Sequence, residues 1–120
     1  MLSVQAIYES APSVIGQSVL VEGLLLGTGF EHQYIADSTE GYDRGIALPI
    51  LGGSLFELLG DSGVGAIGGG RFSFWYNAVI QAEVVLADKR GHKYGLTNIT
   101  SLIVSYRNKQ FSVIPAVREV

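Results

Sequence analysis

The sequence predicts a mainly β domain with two short helical segments. Hydrophobic residues make up 48% of the 120-residue chain and charged residues only 16%, so the chain has ample material for a core. Apolar and polar residues alternate from Phe72 to Leu86, which is typical of a long, half-buried strand. A capping-box pattern, Ser54-Leu55-Phe56-Glu57, predicts a short helix between strand-like segments. Since the chain is short, a single domain over residues 1–120 is expected.

The first half of the chain predicts a helical turn and three strands. Ser3 is a candidate N-cap for the turn, which Ala11-Pro12 ends. The expected strands cover residues 18–27, 32–37 and 45–51, with a polar turn at 38–43 before the third. Gly23 is expected to let the first strand bend sharply. Because Pro49 cannot donate to a strand ladder, the third strand should lie at an edge or end there.

The second half predicts a short plug-like helix and a series of long strands. The helix covers residues 54–60, with Gly60 as its stop. In the following strand every even position from Phe72 to Leu86 is apolar or aromatic, so these side chains should face the core and Trp75 should point outward. A polar turn at residues 88–93 is followed by one or two strands over 94–106, a turn at 107–110 and a last strand at 111–114.

This order of elements resembles the OB fold over roughly residues 14–106, because an OB barrel also carries its helix between the third and fourth strands. The segment Ser13-Val14-Ile15-Gly16-Gln17-Ser18-Val19-Leu20-Val21-Glu22-Gly23 is similar to the entry into the first strand of many bacterial OB domains. The resemblance implies a small five-stranded Greek-key barrel. It also implies a ligand face on the second and third strands, flanked by the loops at 28–31 and 88–93.

Charge is distributed unevenly along the chain, although the formal net charge is only −3. Residues 1–70 carry one basic and eight acidic side chains, and residues 71–120 carry seven basic and three acidic ones. This distribution has two interpretations. Either the acidic and basic halves attract each other within the domain, or the second half forms a basic face that binds an anionic ligand. In the second interpretation the candidate ligand-binding residues are the following: Tyr34, Arg71, Trp75, Lys89, Arg90 and Lys93.

A glycine pattern and the polar residues carry no catalytic prediction. Gly63-Val64-Gly65-Ala66-Ile67-Gly68 matches G-x-G-x-x-G, but a helix precedes it and a strand follows it, the reverse of a dinucleotide site. It is interpreted as a loop. The chain has no cysteine, and His32 and His92 lack the spacing of a ligand set, so no metal site, cofactor or catalytic residue is expected. We expect a non-enzymatic protein.

The N-terminus lacks the pattern of a signal peptide, although a leader removed earlier leaves no trace, and no apolar run is long enough for a membrane helix. The sequence therefore predicts a soluble protein without a membrane partner, and the absence of cysteine suits a cytoplasmic location. The expected function is a binding module that contacts another protein or a copy of itself as a homo-oligomer. Single-stranded nucleic-acid binding is an alternative that the acidic net charge disfavours. Binding of a small molecule or carbohydrate in the barrel mouth stays open as well.

Overall fold

Six strands form one antiparallel sheet, in the order β3-β2-β1-β4-β5-β6. The computed structural model describes residues 1–28, 32–52, 55, 59, 72–89 and 91–114. Within them the helices are α1 (Val4–Ser10) and α2 (Thr39–Asp43). The strands are β1 (Ser18–Gly27), β2 (Gln33–Ala36), β3 (Ala47–Pro49), β4 (Phe74–Lys89), β5 (His92–Tyr106) and β6 (Lys109–Ile114). The prediction of a mainly β fold is confirmed. Over this part of the chain, no helix has the length and apolar character needed to cross a bilayer.

Helix α1 begins where the sequence predicts a helical turn. The Ser3 hydroxyl accepts a hydrogen bond from the Ala6 N–H at 3.0 Å, so Ser3 is the N-cap. Val4 and Ile7 are fully buried in the core under the sheet. A helix of seven residues is not stable alone, so its position depends on these contacts.

Strand β1 has the predicted bounds. Gly23 has no side chain at a point where β1 and the end of β2 lie very close together. A Cβ built on Gly23 lies 2.7 Å from the carbonyl oxygen of Ala36, the last residue of β2. Before this point the N-terminal segment, and not β2, lies beside β1, where Leu2 and Val21 form a parallel bridge. A side chain at position 23 therefore collides with the end of β2.

The prediction of a turn at residues 38–43 is wrong, because this segment forms helix α2 with its cap at Ser38. Ser38 caps it by accepting the Gly41 N–H at 3.0 Å, and Arg44 bonds Glu40 at 2.6 Å one turn away. Asp43 and Gly41 are residue types that are common in turns, and for this reason the sequence predicts a turn here. The cap and the i,i+4 pair favour the helix.

Strand β3 is shorter than predicted, and Pro49 is its last residue on the edge of the sheet, as expected. Side chains alternate along this segment: Leu48 and Ile50 belong to the main core, whereas Ala47 packs in a smaller cluster. Most of the helix predicted at residues 54–60, including its caps, lies outside the described residues. Leu55 and Leu59 are described, have helical backbone and are buried in the main core.

Strand β4 confirms the period-two alternation of the sequence with one exception. Its even residues are buried from Phe74 to Val84, but Leu86 is 61% exposed. The ladder with β5 is irregular between Leu86 and Lys89, which disturbs the alternation near the end of the hairpin. The outward orientation predicted for Trp75 is confirmed, since its side chain is 41% exposed.

Two tight hairpins replace the longer turns that the sequence predicts. Lys89 pairs directly with His92, so β4 and β5 continue into the segment predicted as a loop at 88–93. His92 is buried and its Nδ1 lies 3.2 Å from the carbonyl oxygen of Gly45. The β5–β6 turn consists of Arg107 and Asn108, which both have positive φ, as a two-residue turn with type I′ geometry requires.

The edge strand β3 also approaches β5. Ile50 and Leu96 form an isolated parallel bridge, and the Leu51 N–H donates to the Leu96 carbonyl at 2.8 Å. Within the described residues this contact is a bridge and not a continuous ladder, so the sheet itself is open.

The close approach at Gly23 predicts a steric cost for any side chain there. Gly23→Ala should lower the free energy of unfolding by about 1–3 kcal/mol, because backbone must move to admit the methyl group. The matched control is Gly41→Ala in α2, where the nearest atoms lie at 3.5 and 3.7 Å and a small gain in helix stability is expected. Urea denaturation measures both. Equal stability of Gly23→Ala and the wild type would contradict the strand contact.

The packing of α1 predicts a pH dependence. The Tyr8 hydroxyl donates to the Ala47 carbonyl at 2.6 Å, and burial raises the pKa of Tyr8 by disfavouring the phenolate. Its contribution to stability is complete below the pKa of the unfolded chain and is lost as pH rises through the raised pKa of the folded state. Between about pH 9 and 12 the wild type should therefore lose more unfolding free energy than Tyr8→Phe. Identical pH slopes for the two proteins would refute this assignment, since all other tyrosines are shared.

Candidate functional site

The sequence-predicted ligand residues differ in where the structure places them. Tyr34 lies in β2 and is only 3% exposed, whereas Trp75 and Lys93 are exposed. Lys89 is the last residue of β4. Arg71 and Arg90 lie outside the described residues, as do the glycine motif at 63–68 and most of the 28–31 loop. The ligand-binding role of these residues stays a prediction.

Tyr34 is covered by an aromatic cluster on the outer side of β2. Its ring centroid lies 5.3 Å from that of Tyr42 in α2 and 5.2 Å from that of His92. Tyr42 in turn packs edge-on against Phe72 at 5.5 Å. The helix that sequence reasoning missed therefore covers the face on which the OB resemblance places a ligand. In this conformation no base or sugar ring can stack on Tyr34.

The β4–β5 hairpin has a shallow cleft of its own. Its volume is about 500 Å³, and its walls include the exposed Leu86 together with Asp88, His92 and Lys93. The Lys93 ammonium lies 5.7 Å from the centre of the Tyr94 ring, within the range of a cation–π contact. The cleft thus combines an apolar wall with charges of both signs.

A second cleft lies on the outer side of β1, β4, β5 and β6. It has a volume of about 670 Å³ and contains residues of all four strands and of the N-terminal segment. Strand register explains its floor, because residues directly opposite each other share one face. Leu24 opposes Asn77, Asn77 opposes Ser105, and Ser105 opposes Gln110. Asn77, Ser105 and Gln110 form a row of polar side chains across β4, β5 and β6, which we call the polar row, and the apolar Leu24 continues this row onto β1.

Neighbouring positions complete this face. Glu22 and Val79 pair with each other and lie two residues along their strands from the polar row. On the other side of the row, Trp75 pairs with Leu26 and precedes Asn77 by two residues, about 7 Å along the strand. Trp75 therefore flanks the cleft at one end, and Glu22 lines it at the other.

The polar groups of this cleft differ in whether they form hydrogen bonds with other described residues. Asp37 is engaged, since its two carboxylate oxygens accept the Val4 and Gln5 N–H groups at 2.8 and 3.0 Å. The side chains of Glu22, Asn77, Ser105 and Gln110 are exposed and make no hydrogen bond or ion pair with any described residue. Four uncommitted polar groups therefore surround a concave surface beside an exposed tryptophan.

Sequence reasoning identified Trp75 but not the residues beside it. Alternation along β4 already indicated that Asn77 points outward with Trp75. Ser105, Gln110 and Glu22 belong to other strands, and only the register brings them together. No short-range signal in the sequence contains that information.

No protein-family model matches this chain, and no similar protein was found among curated proteins or solved structures. Within the described part of the chain, no group of three or more histidine, aspartate or glutamate residues is placed to hold a metal ion.

The different burial of the two aromatic candidates predicts different effects of truncation. Tyr34→Ala should lower the unfolding free energy by about 3–5 kcal/mol, because it opens a cavity in the aromatic cluster. Trp75→Ala should cost about 1 kcal/mol or less, since its side chain is already 41% exposed. Thermal and urea unfolding followed by far-UV circular dichroism measure both. A larger loss for Trp75→Ala than for Tyr34→Ala would contradict this assignment.

Proposed function

We propose that this protein is a non-enzymatic binding module that engages a partner protein through the outer face around Trp75. The observation that carries the proposal is the tryptophan itself: its side chain is 41% exposed on a strand whose other aromatic residues are buried. Its indole N–H has no hydrogen-bond acceptor among the described residues. Tryptophan is among the residues most enriched at the energetic centres of protein interfaces.

The surroundings of Trp75 fit the usual composition of an interface. On one side it adjoins the apolar cluster of Leu26 and Phe72, and on the other side it adjoins the polar row. Protein interfaces combine an apolar centre, rich in aromatic side chains, with a polar rim that forms hydrogen bonds. A partner that covers Trp75 also reaches the free amide groups of Asn77 and Gln110.

The proposal includes an OB-like barrel as the scaffold. The order β3-β2-β1-β4 is that of a Greek key, in which the fourth strand returns to lie beside the first. The bridge between Ile50 and Leu96 supports closure between β3 and β5. So does Gly95, where an added Cβ lies 3.0 Å from the Pro49 carbonyl oxygen. In this scheme β6 is an addition to the five-stranded barrel.

Single-stranded nucleic-acid binding at the β4–β5 hairpin is the second candidate. The exposed Lys93 and the cleft beside it favour this function. The burial of Tyr34 weighs against it, because the aromatic platform of the neighbouring face is covered. A nucleic-acid ligand predicts affinity that falls steeply with salt, and fluorescence anisotropy with labelled oligonucleotides measures it.

A display experiment tests the protein-binding function directly. A random peptide library is selected on the immobilised wild type after depletion on Trp75→Ala. We expect enriched clones whose affinity falls roughly 30-fold or more in Trp75→Ala, as for a central interface tryptophan. Because Trp75 is the only tryptophan, its fluorescence should shift when a clone binds at this face.

The matched control is Leu86→Ala, which removes another exposed apolar side chain at the β4–β5 hairpin. This variant should bind the selected clones as the wild type does. A selection that yields no clone sensitive to Trp75→Ala would refute the proposed function. Sedimentation equilibrium of the free protein tests the related case in which the partner is a second copy of the chain.

A further inference from the structure

We infer that the cleft of the β4–β5 hairpin binds a small zwitterion, namely a free α-amino acid with an apolar side chain. This cleft is a different surface from the outer face around Trp75, so binding here is independent of the proposed function. Three features of the cleft point to such a ligand: a buried histidine with an open acceptor, two opposite charges that do not pair, and an exposed apolar side chain.

One ring nitrogen of His92 is held by the fold. The residue is only 8% exposed, and its Nδ1 lies 3.2 Å from the carbonyl oxygen of Gly45. Because a carbonyl oxygen only accepts hydrogen bonds, Nδ1 must be the donor in this contact. In the neutral ring the other nitrogen, Nε2, is then an acceptor.

The second ring nitrogen of His92 is open. Nε2 has no hydrogen-bond partner among the described residues. Since every fully enclosed polar side-chain atom in this part of the chain has a partner, Nε2 is accessible to solvent. His92 lines the hairpin cleft, so we place the open acceptor there. The rings of Tyr34 and Tyr42, with centroids 5.2 and 6.3 Å away, fix the imidazole, and a ligand therefore has little ordering of this side chain to cost it affinity.

Two opposite charges line the same cleft without pairing. Asp88 and Lys93 are exposed, and the side chain of neither forms an ion pair or hydrogen bond with a described residue. The Lys93 ammonium lies instead within cation–π range of Tyr94. A ligand of one sign is attracted by one of the two charges and repelled by the other. A ligand that carries both charges satisfies both, so the cleft favours a zwitterion.

Each part of an apolar α-amino acid has a matching group in this cleft. Its ammonium group has three N–H donors, which serve the Asp88 carboxylate and Nε2 of His92 together. Its carboxylate then lies toward Lys93, and its side chain packs against the exposed Leu86. The cleft volume of about 500 Å³ is within the usual range of small-molecule sites.

Titration of the wild type with leucine and two analogues tests this site. Isopentylamine lacks the carboxylate of leucine, and isocaproate lacks its ammonium group. With a metal chelator present, we expect leucine to bind with a dissociation constant of about 1 mM, and each analogue to bind about threefold more weakly or worse. Nitrogen NMR observes the histidine directly, because the chain has only two. Leucine should shift the Nε2 resonance of His92 while Nδ1 stays protonated.

Substitutions test the two charges separately. Asp88→Asn and Lys93→Gln should each raise the dissociation constant of leucine about two- to fivefold at low salt, the usual range for an exposed ion pair. The matched control is Lys109→Gln, which removes an exposed charge outside the cleft lining and should leave the affinity unchanged. Trp75→Ala should also bind leucine as the wild type does, so failure of this site and failure of the proposed function are distinguishable.

Three results would overturn the amino-acid site. They are equal affinities for leucine and both analogues, an Nε2 resonance of His92 that leucine does not move, and full affinity for leucine in both charge variants. A titration with Zn²⁺ in the absence of the chelator gives a fourth. If Zn²⁺ moves the Nε2 resonance and prevents leucine from binding, a metal ion is the occupant and the amino-acid site is refuted.

Discussion

Strand β1 is paired with β4 over its whole length, from Ser18 opposite Glu83 to Gly27 opposite Phe74. This ladder fixes both faces of the sheet, because in an antiparallel pair each residue shares its face with the residue directly opposite. A shift of one residue would move Val21 and Leu25 out of the core and bring Glu22 in. The position of every other element, and of the polar row, depends on this register.

The same ladder explains how the N-terminal helix is held against the sheet. Only the last four residues of β1 pair with β2, and Leu2 takes the place of β2 beside Val21. The chain then enters α1 directly, and Asp37, just after β2, binds the first N–H groups of that helix. Helix α1 and the outer cleft therefore share Asp37 and the segment Met1–Ser3. The residues that position the helix therefore also form one end of the cleft.

Local patterns in the sequence predicted most of the elements but not their relationships. The bounds of β1 and the alternation of β4 follow from periodicity, and the start of α1 follows from one capping serine. Helix α2 was missed because its turn-forming residues outweighed a cap that Ser38 supplies. Tyr34 was identified as a residue of interest, but its burial depends on Tyr42 of that helix and on His92, which is far away in sequence. Contacts of this kind are set by tertiary packing and leave no local signal.

The outer surface of the sheet is apolar on one side of Trp75 and polar on the other. Leu26, opposite Trp75, is buried with the aromatic cluster, and the next row toward Glu22 is polar and uncommitted. A tryptophan at such a boundary keeps its apolar ring in contact with the cluster on one side and leaves the rest of its surface to solvent. The uneven charge of the sequence has a structural counterpart here. Glu22 and Asp37 of the acidic first half line the cleft, while Lys93 lies on the β4–β5 hairpin. The exposed tryptophan therefore lies between a buried aromatic cluster and the cleft that contains Glu22 and Asp37.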